Sequence, residues 1–469
     1  PVRFDIARTG PRRSGVGAAA LRILPRPNSM PAAQTSLLER VRANGVVGAG
    51  GAGFPLYKKL ESAVDTVIMN AAECEPLLHK DKEILRRDGR RAVAGMARVM
   101  RQVGARDGII GIKEKYEDLI VELGRIGAPQ GIRVHALGDY YPAGDEFITV
   151  YETTARVIPP GGLPLDVGCL VSNVETLLNV ELDQPVTHKY LTVAGDVPEP
   201  VTVRAPIGAS FGDVLRAVGA NPEAIGHVLV GGVMMGRNMS SFDEPVTRTT
   251  GGLLCFPAGH VLQRKYTTAP RAREIIGRSA CDQCSFCTEM CPRYLIGHPV
   301  APHLAMRGLG FNMVGDALIM GSQFCCECNL CSLYACPEDL FPKDACADNK
   351  KTMRERKLEH PSKGKRDVKP HSMQEYRHVP VASLIKKLGL SGYRNVGPFV
   401  DVAWKLDSVR IPLKQHVGAP AVACVKSGQQ VEAGQVIGDA PSGLGVAVHA
   451  SMRGTVASVG EEIVIRRSE

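Results

Sequence analysis

Apolar positions in this chain follow first one spacing and then another, and each change of spacing marks a change of architecture. Leu37, Leu38 and Val41 fall on one face of a short amphipathic helix over 36–44. Thr66-Val-Ile-Met69 is a continuous apolar run that reads as a buried strand. Helices over 81–103 and 114–126 then alternate with strands over 108–112 and 132–137. The segment Cys169–Thr176 is expected to open a further helix, with its hydroxyl and amide groups suited to capping or to ligand contact. This alternation predicts an α/β domain over 30–185.

Beyond residue 186 the pattern shortens. Leu191–Ala194, Val201–Arg204 and His227–Val230 read as strands and Phe211–Val218 as a helix, a small α+β module over 186–265. A helical region is expected over 270–350, a basic linker over 351–405 and a β module over 406–469. In that last part valines alternate with polar residues around glycine turns, as in Val425, Gly428, Val431 and Gly434.

Two loops in the first domain carry candidate chemistry. Gly45-Val-Val-Gly48-Ala-Gly50-Gly51-Ala-Gly53-Phe54-Pro55 has five glycines in nine residues over 45–53. Such a run permits left-handed dihedrals and close backbone approach to a phosphate, although a glycine-rich loop can also be no more than a turn. The strand at 66–69 runs into Asn70-Ala-Ala-Glu73-Cys74-Glu75-Pro76. Polar residues at the carboxyl end of a strand are where open α/β sheets place ligands. Tyr141-Pro-Ala-Gly144-Asp145-Glu146 and Pro159–Gly162 mark further loops.

The strongest signal is a pair of cysteine runs. One reads Cys281-x2-Cys284-x2-Cys287-x3-Cys291-Pro292 and the other Cys325-Cys326-x-Cys328-x2-Cys331-x4-Cys336-Pro337. Three thiolates at i, i+3 and i+6 followed by a Cys-Pro match the bacterial [4Fe–4S] spacing. Structural zinc more often uses two separated pairs. In two-cluster ferredoxins the Cys before Pro ligates the other cluster. Cys281, Cys284 and Cys287 are therefore expected to share a cluster with Cys336, and Cys325, Cys328 and Cys331 with Cys291. The longer last gap of the second run, and the neighbouring Cys326 and Cys346, leave substitutes open. Met290 and Leu295 are expected as the dry shell of the first site, Leu333 and Leu340 of the second.

Composition narrows the classes. At 469 residues the chain exceeds one compact core. Ten of its 14 cysteines lie between 281 and 346, a usage that suits clusters in a reducing compartment better than a disulfide framework. No apolar run reaches the ~18 residues of a spanning helix, so a soluble or peripheral, cytoplasmic protein is expected. The net charge of +9 is carried by two segments, 1–29 at +5 and 350–369 at +6, which leaves about −2 elsewhere. A nucleic-acid partner is therefore not expected. The leader over 1–29 is expected to be a disordered basic tail, with Met30 as an alternative start.

Taken together over about 36–466, these motifs resemble the flavin-carrying subunit of respiratory complex I and, more closely, the C subunit of the Rnf complex. They are most similar to the cobalamin reductase family of propanediol-utilisation microcompartments, whose lipoyl-like barrel-sandwich module stands at the C-terminus. The resemblance implies FMN and NADH as cofactor and substrate. It places them at Gly48, Gly50, Gly51, Gly53, Phe54, Asn70, Glu73, Glu75, Tyr141, Gly144, Asp145, Glu146, Asn173 and Thr176, with Lys59 near the flavin phosphate and Glu146 near the nicotinamide ribose. It makes 186–265 a soluble-ligand-binding β-grasp module. The C-terminal module offers Arg453 and no lysine in its hairpin, so no lipoyl attachment is expected.

The implied function is hydride transfer from NADH to FMN, then single-electron passage through two [4Fe–4S] clusters to cobalamin. An adenosyltransferase and microcompartment shell proteins are the implied partners. Three other readings stand beside it: an Rnf-type protein that serves a ferredoxin or quinone-linked complex, a flavin-free electron carrier in which the glycine loop is only a turn, and a scaffold whose clusters serve structure.

Overall fold

A computed structural model describes residues 35–309 and 317–468. The leader over 1–29 and Met30 lie outside the described residues. The chain from Leu37 onward forms one compact unit.

After two short helices, α1 (Leu37–Ala43) and α2 (Leu56–Leu60), the first domain is built on a parallel sheet. Its strands are β1 (Thr66–Ala71), β2 (Asp107–Lys113), β3 (Ile132–Leu137) and, after the two-residue β4 (Tyr140–Tyr141), β5 (Cys169–Asn173). The sheet order is β3-β2-β1-β5. Val67, Ile68, Met69, Ile110 and Ile112 are buried, which explains their continuous apolar runs: a parallel sheet is covered on both faces. The order reverses between β1 and β5, so the loops leaving these two strands flank the crevice where such sheets hold ligands. Cys169–Asn173 is thus a strand rather than the start of a helix. The helix α6 (Val174–Leu182) begins one residue later, capped by Asn173, whose side chain accepts the Glu175 N–H.

Three more helices pack on this sheet: α3 (Lys80–Val103), α4 (Glu117–Gly127) and α5 (Glu146–Thr154). Gly104, in the left-handed region, ends α3. The helices α3 and α6 cross at Gly95, where an added Cβ would collide with the Leu177 carbonyl oxygen.

The module that follows is a mixed sheet of order β7-β6-β10-β8-β9, formed by β6 (His188–Gly195), β7 (Val201–Pro206), β8 (His227–Val230), β9 (Arg237–Asn238) and β10 (Gly252–Phe256). One helix, α7 (Phe211–Ala217), joins β7 to β8. The helices α8 (Val261–Thr267) and α9 (Pro270–Ala280) lead into the cysteine-rich region of short helical turns. Residues 351–405, expected as a linker, contain the helix Val381–Lys387 and the strand Val379–Pro380, which pairs with β4. The C-terminal part is two antiparallel sheets, one of four strands and one of three. The barrel seats on the start of the first domain: Arg42 Nη2 donates to Pro441 O at 2.8 Å and Tyr57 Oη to Gly443 O at 3.0 Å.

A backbone carbonyl cannot move aside as a flexible side chain can. Gly95→Ala should therefore destabilise the protein by about 2–3 kcal/mol, read as a lower urea midpoint at unchanged slope.

Candidate functional site

The glycine loop lies over the β1/β5 crevice. Gly48 N–H donates to Phe54 O at 2.9 Å and closes the loop. Thr176 Oγ1, in the first turn of α6, accepts the Ala49 N–H at 2.9 Å and ties the loop down from below. Two of the expected glycines are shaped by the protein itself: a Cβ on Gly50 would touch Asn173 Cβ at 3.5 Å, and one on Gly53 would press on Thr249 Cγ2 at 2.9 Å. Gly51 differs, with φ at +124° and, among the described residues, nothing within 4 Å of the position its Cβ would take. A glycine in the left-handed half of the map whose open side faces no protein atom is what a close-approaching phosphate requires. The loop fits FMN on that observation.

Lys59, at the end of α2, donates to Val171 O on β5 and to Glu146 Oε1 on α5, both at 3.0 Å. The two residues expected at the flavin phosphate and the nicotinamide ribose are thus already an ion pair at the mouth of the crevice.

At the end of β1, Asn70 Nδ2 donates to Gly144 O at 2.8 Å, and Cys74 Sγ accepts the Gly144 N–H at 3.4 Å. These bonds hold the 140–146 loop against the strand. At Glu73 one carboxylate oxygen accepts the Asp81 N–H at 3.0 Å, and the other, Oε1, is a buried atom with no partner among the described residues. Burial, reinforced by the Asp81 charge, pushes its carboxyl up to about 8. Asp81 in turn accepts from Asn173 Nδ2 at 2.8 Å and pairs with Lys80 at 2.5 Å. Burial alone would lower the Lys80 ammonium, but Asp81, Glu73 and Glu175 together raise it. Glu73 and Asn173 therefore share one buried polar network beneath the crevice. Glu75 occupies a different joint: its oxygens accept the Met234 and Met235 N–H groups of the β-grasp module, each at 2.8 Å.

The two cysteine loops share one backbone pattern. Gln283 and Ser285 flank Cys284 with positive φ of 60° and 63°, and Glu327 and Asn329 flank Cys328 at 59° and 65°. In this register Cys325 corresponds to Cys281, while Cys326 corresponds to Asp282. After Cys331 the extra residue is taken up by a π turn, in which Cys336 N–H donates to Cys331 O at 3.1 Å. Cys281, Cys284, Cys287 and Cys336 line a single small cavity with Met306 and Leu340. Four thiols around one small cavity fit an iron–sulfur cluster. Leu340, expected beside the second run, lines the cavity of the first because the chain crosses at Cys336. Cys291 packs with Cys325 in a separate apolar cluster, and Cys328 and Cys331 are buried. Cys346 is fully buried and packs in the cluster that holds Cys336, with Cys325 and Cys281 against it.

The flavin-side loops and the cysteine loops touch directly. Tyr141 Oη donates to Cys328 O at 2.7 Å. Arg293, two residues after Cys291, donates to Asp145 Oδ2 at 2.9 Å while its guanidinium lies 3.5 Å from the Phe147 ring centroid. Asp145 uses its other oxygen to cap α5, accepting the Phe147 and Ile148 N–H groups. Arg293 and Asp81 are not foreseen from the sequence; a lone arginine or aspartate carries no motif.

Comparison with known proteins finds three family models along the chain: the Nuo51 FMN-binding domain over 41–182, a 4Fe-4S dicluster domain over 280–341 and the RnfC barrel sandwich hybrid domain over 400–469. The chain is 42% identical over 439 residues to the cobalamin reductase PduS of Citrobacter freundii, covering 92% of this chain and 96% of that one. It is equally 42% identical over 433 residues to that of Salmonella typhimurium, covering 91% and 95%. The RnfC-type component of the Na+-translocating ferredoxin:NAD+ oxidoreductase complex of Acetobacterium woodii is 33% identical over 261 residues, covering 54% of this chain and 56% of its own.

Gly51→Val should lose FMN while keeping its iron, because the added side chain occupies the open side of the loop and strains a positive φ; flavin and iron content of the purified variant check this. Cys336→Ser should selectively lose the cluster held by Cys281, Cys284 and Cys287. Mössbauer or EPR spectra that instead show the partners of Cys325 disturbed would reject the crossing.

Proposed function

Because the chain belongs to the cobalamin reductase family of flavin- and iron–sulfur-containing oxidoreductases, we propose that it takes electrons from NADH through FMN and two [4Fe–4S] clusters. It delivers them singly to the cobalt of cob(III)alamin or cob(II)alamin, restoring a corrin cofactor to its reactive state. One observation carries this reading: the loops that flank the flavin crevice are bonded directly to the cysteine loops, Tyr141 to Cys328 and Asp145 to Arg293. FMN held there would supply the conversion from two-electron hydride chemistry to the single electrons that a one-electron metal acceptor requires.

The protein's residues bind and orient. Gly50, Gly51 and Gly53 would cradle the FMN phosphate, and Lys59 would supply a counter-charge with its remaining N–H. Asn70, Glu73 and Asn173 would border the flavin ring. Glu146, held by Lys59, would meet the nicotinamide ribose. Cys281, Cys284, Cys287 and Cys336 would hold one cluster; Cys325, Cys328, Cys331 and Cys291 would hold the other, with Cys326 displaced by the register of the loop.

Among the described residues no helix is long and apolar enough to cross a membrane. Residence in a microcompartment beside an adenosyltransferase belongs to the same proposal and rests on the family resemblance.

Cys287→Ala separates the two halves of the path. NADH should still bleach the flavin absorbance in this variant, while the rate of cob(II)alamin or cob(III)alamin reduction should fall at least tenfold, since each lost factor of ten corresponds to about 1.4 kcal/mol of barrier. Unchanged cobalamin reduction would mean that the acceptor meets the flavin itself. Efficient reduction of a ferredoxin with none of cobalamin, in the unaltered protein, would replace this acceptor with the Rnf-type one.

A further inference from the structure

Among the described residues Arg248 is the largest side chain to be fully buried, and no carboxylate pairs with it. It stands in the turn 247–250 that precedes β10. Its Nη2 donates to Ala447 O in the C-terminal barrel at 2.7 Å, while Nε and Nη1 find no partner among the described residues. Burial pushes the guanidinium down to about 10, with no acid beside it to raise it again, yet at neutral pH it still carries a full positive charge. The two imidazoles nearby stay neutral. Burial, with Arg248 itself, holds His449 down to about 4, and burial lowers His416, whose Nε2 accepts the Val446 N–H at 3.3 Å. An interior charge without a counter-ion is costly, and a fold that keeps one has a use for it.

The glycine loop adjoins this charge. Gly45 opens the loop with φ at +74°, and a Cβ on it would lie 2.6 Å from Arg248 Nη2. Thr249, next in the chain, presses on Gly53 at the other end of the loop. Gln415 accepts the Arg248 N–H at 3.2 Å and adjoins Gly53 through its own carbonyl. The turn that carries Arg248 therefore touches both ends of the loop whose Gly51 leaves one side open. Because the guanidinium is closed to solvent, it acts on the crevice through its field and not by contact, and a dry surrounding keeps that field strong.

Other cations beside the loop are paired or wet. Lys59 is matched by Glu146 at 3.0 Å and Lys58 by Glu61 at 2.9 Å. Arg42, which donates to Pro441 O, is half-buried and reaches water. Of these cations, Arg248 is the one both unpaired and dry.

We propose that Arg248 is the buried counter-charge of the flavin phosphate, acting across the glycine loop without touching it, and that it makes the crevice select FMN over a flavin that lacks the phosphate. This rests on the reading of the glycine loop as the FMN site. A phosphate monoester carries close to two negative charges at pH 7, which the Lys59–Glu146 pair, neutral as a whole, does not balance. Arg248 is thus a specificity-determining residue and not a catalytic one. The barrel, which covers it with Ala447 and His416, keeps its charge dry.

The test titrates the full-length protein, with its iron in place and its flavin dialysed away, with FMN and with riboflavin, following the quenching of flavin fluorescence. The unaltered protein should bind FMN more tightly than riboflavin. Arg248→Gln, which keeps a donor for Ala447 O, should weaken FMN about tenfold and leave riboflavin nearly unchanged. Arg248→Lys keeps the charge and should restore most of the preference. In the unaltered protein the preference should survive about 1 M salt, because mobile ions do not reach a buried charge. Unchanged FMN affinity in Arg248→Gln would overturn the proposal. Equal weakening of FMN and riboflavin would also overturn it, since that is the mark of a brace for the barrel and not of a counter-charge. Collapse of the preference at high salt would assign it to surface cations, and this arm decides the question if Arg248→Gln fails to retain iron. Binding of neither flavin by the unaltered protein would overturn the FMN reading of the loop, and Arg248's role with it.

Discussion

One buried ion pair governs how the two halves of this protein meet. Arg293 and Asp145 are each about nine-tenths buried, on different parts of the fold. Burial acts to lower the Arg293 guanidinium, but Asp145 and the neighbouring Cys326 thiol more than offset it and hold the charge. Removing either partner would leave an uncompensated charge in the interior, a loss of about 3–5 kcal/mol. Since Asp145 also caps α5 and Arg293 follows Cys291 by two residues, the same pair sets both the start of a helix that borders the crevice and the placement of a cysteine loop. Rigid placement of this kind is what electron transfer needs from a protein scaffold.

Much of this was legible in the sequence, for physical reasons that differ from place to place. The buried strand at 66–71 announces itself because a parallel sheet demands apolar residues on both faces. The cysteine loops announce themselves because their turns are local: three thiols at a fixed spacing need no distant partner to be recognised. Even the irregular second run was legible as an irregularity, although only the structure shows the π turn that absorbs the added residue.

What stayed hidden was set by contacts between distant segments. Glu75 sits in a motif with Asn70 and Glu73, yet its carboxylate is spent on Met234 and Met235, about 160 positions away. Cys169–Asn173 has the composition of a helix start and becomes a strand because β1 offers it a parallel partner. Residues 351–405 are rich in charge and loop formers, but Val379–Pro380 finds an edge at Tyr140–Tyr141. No local spacing encodes such pairings.

The C-terminal barrel rests on Arg42, Gly53 and Tyr57, residues near the opening of the flavin domain; Val417 N–H donates to Gly53 O at 3.1 Å. Its seat is therefore close in space to the first elements of the fold and far from them only along the chain. A module docked in that way can be tethered from either direction without disturbing what it braces. The support of the glycine loop therefore depends on where the barrel sits in the molecule and not on where it stands in the sequence.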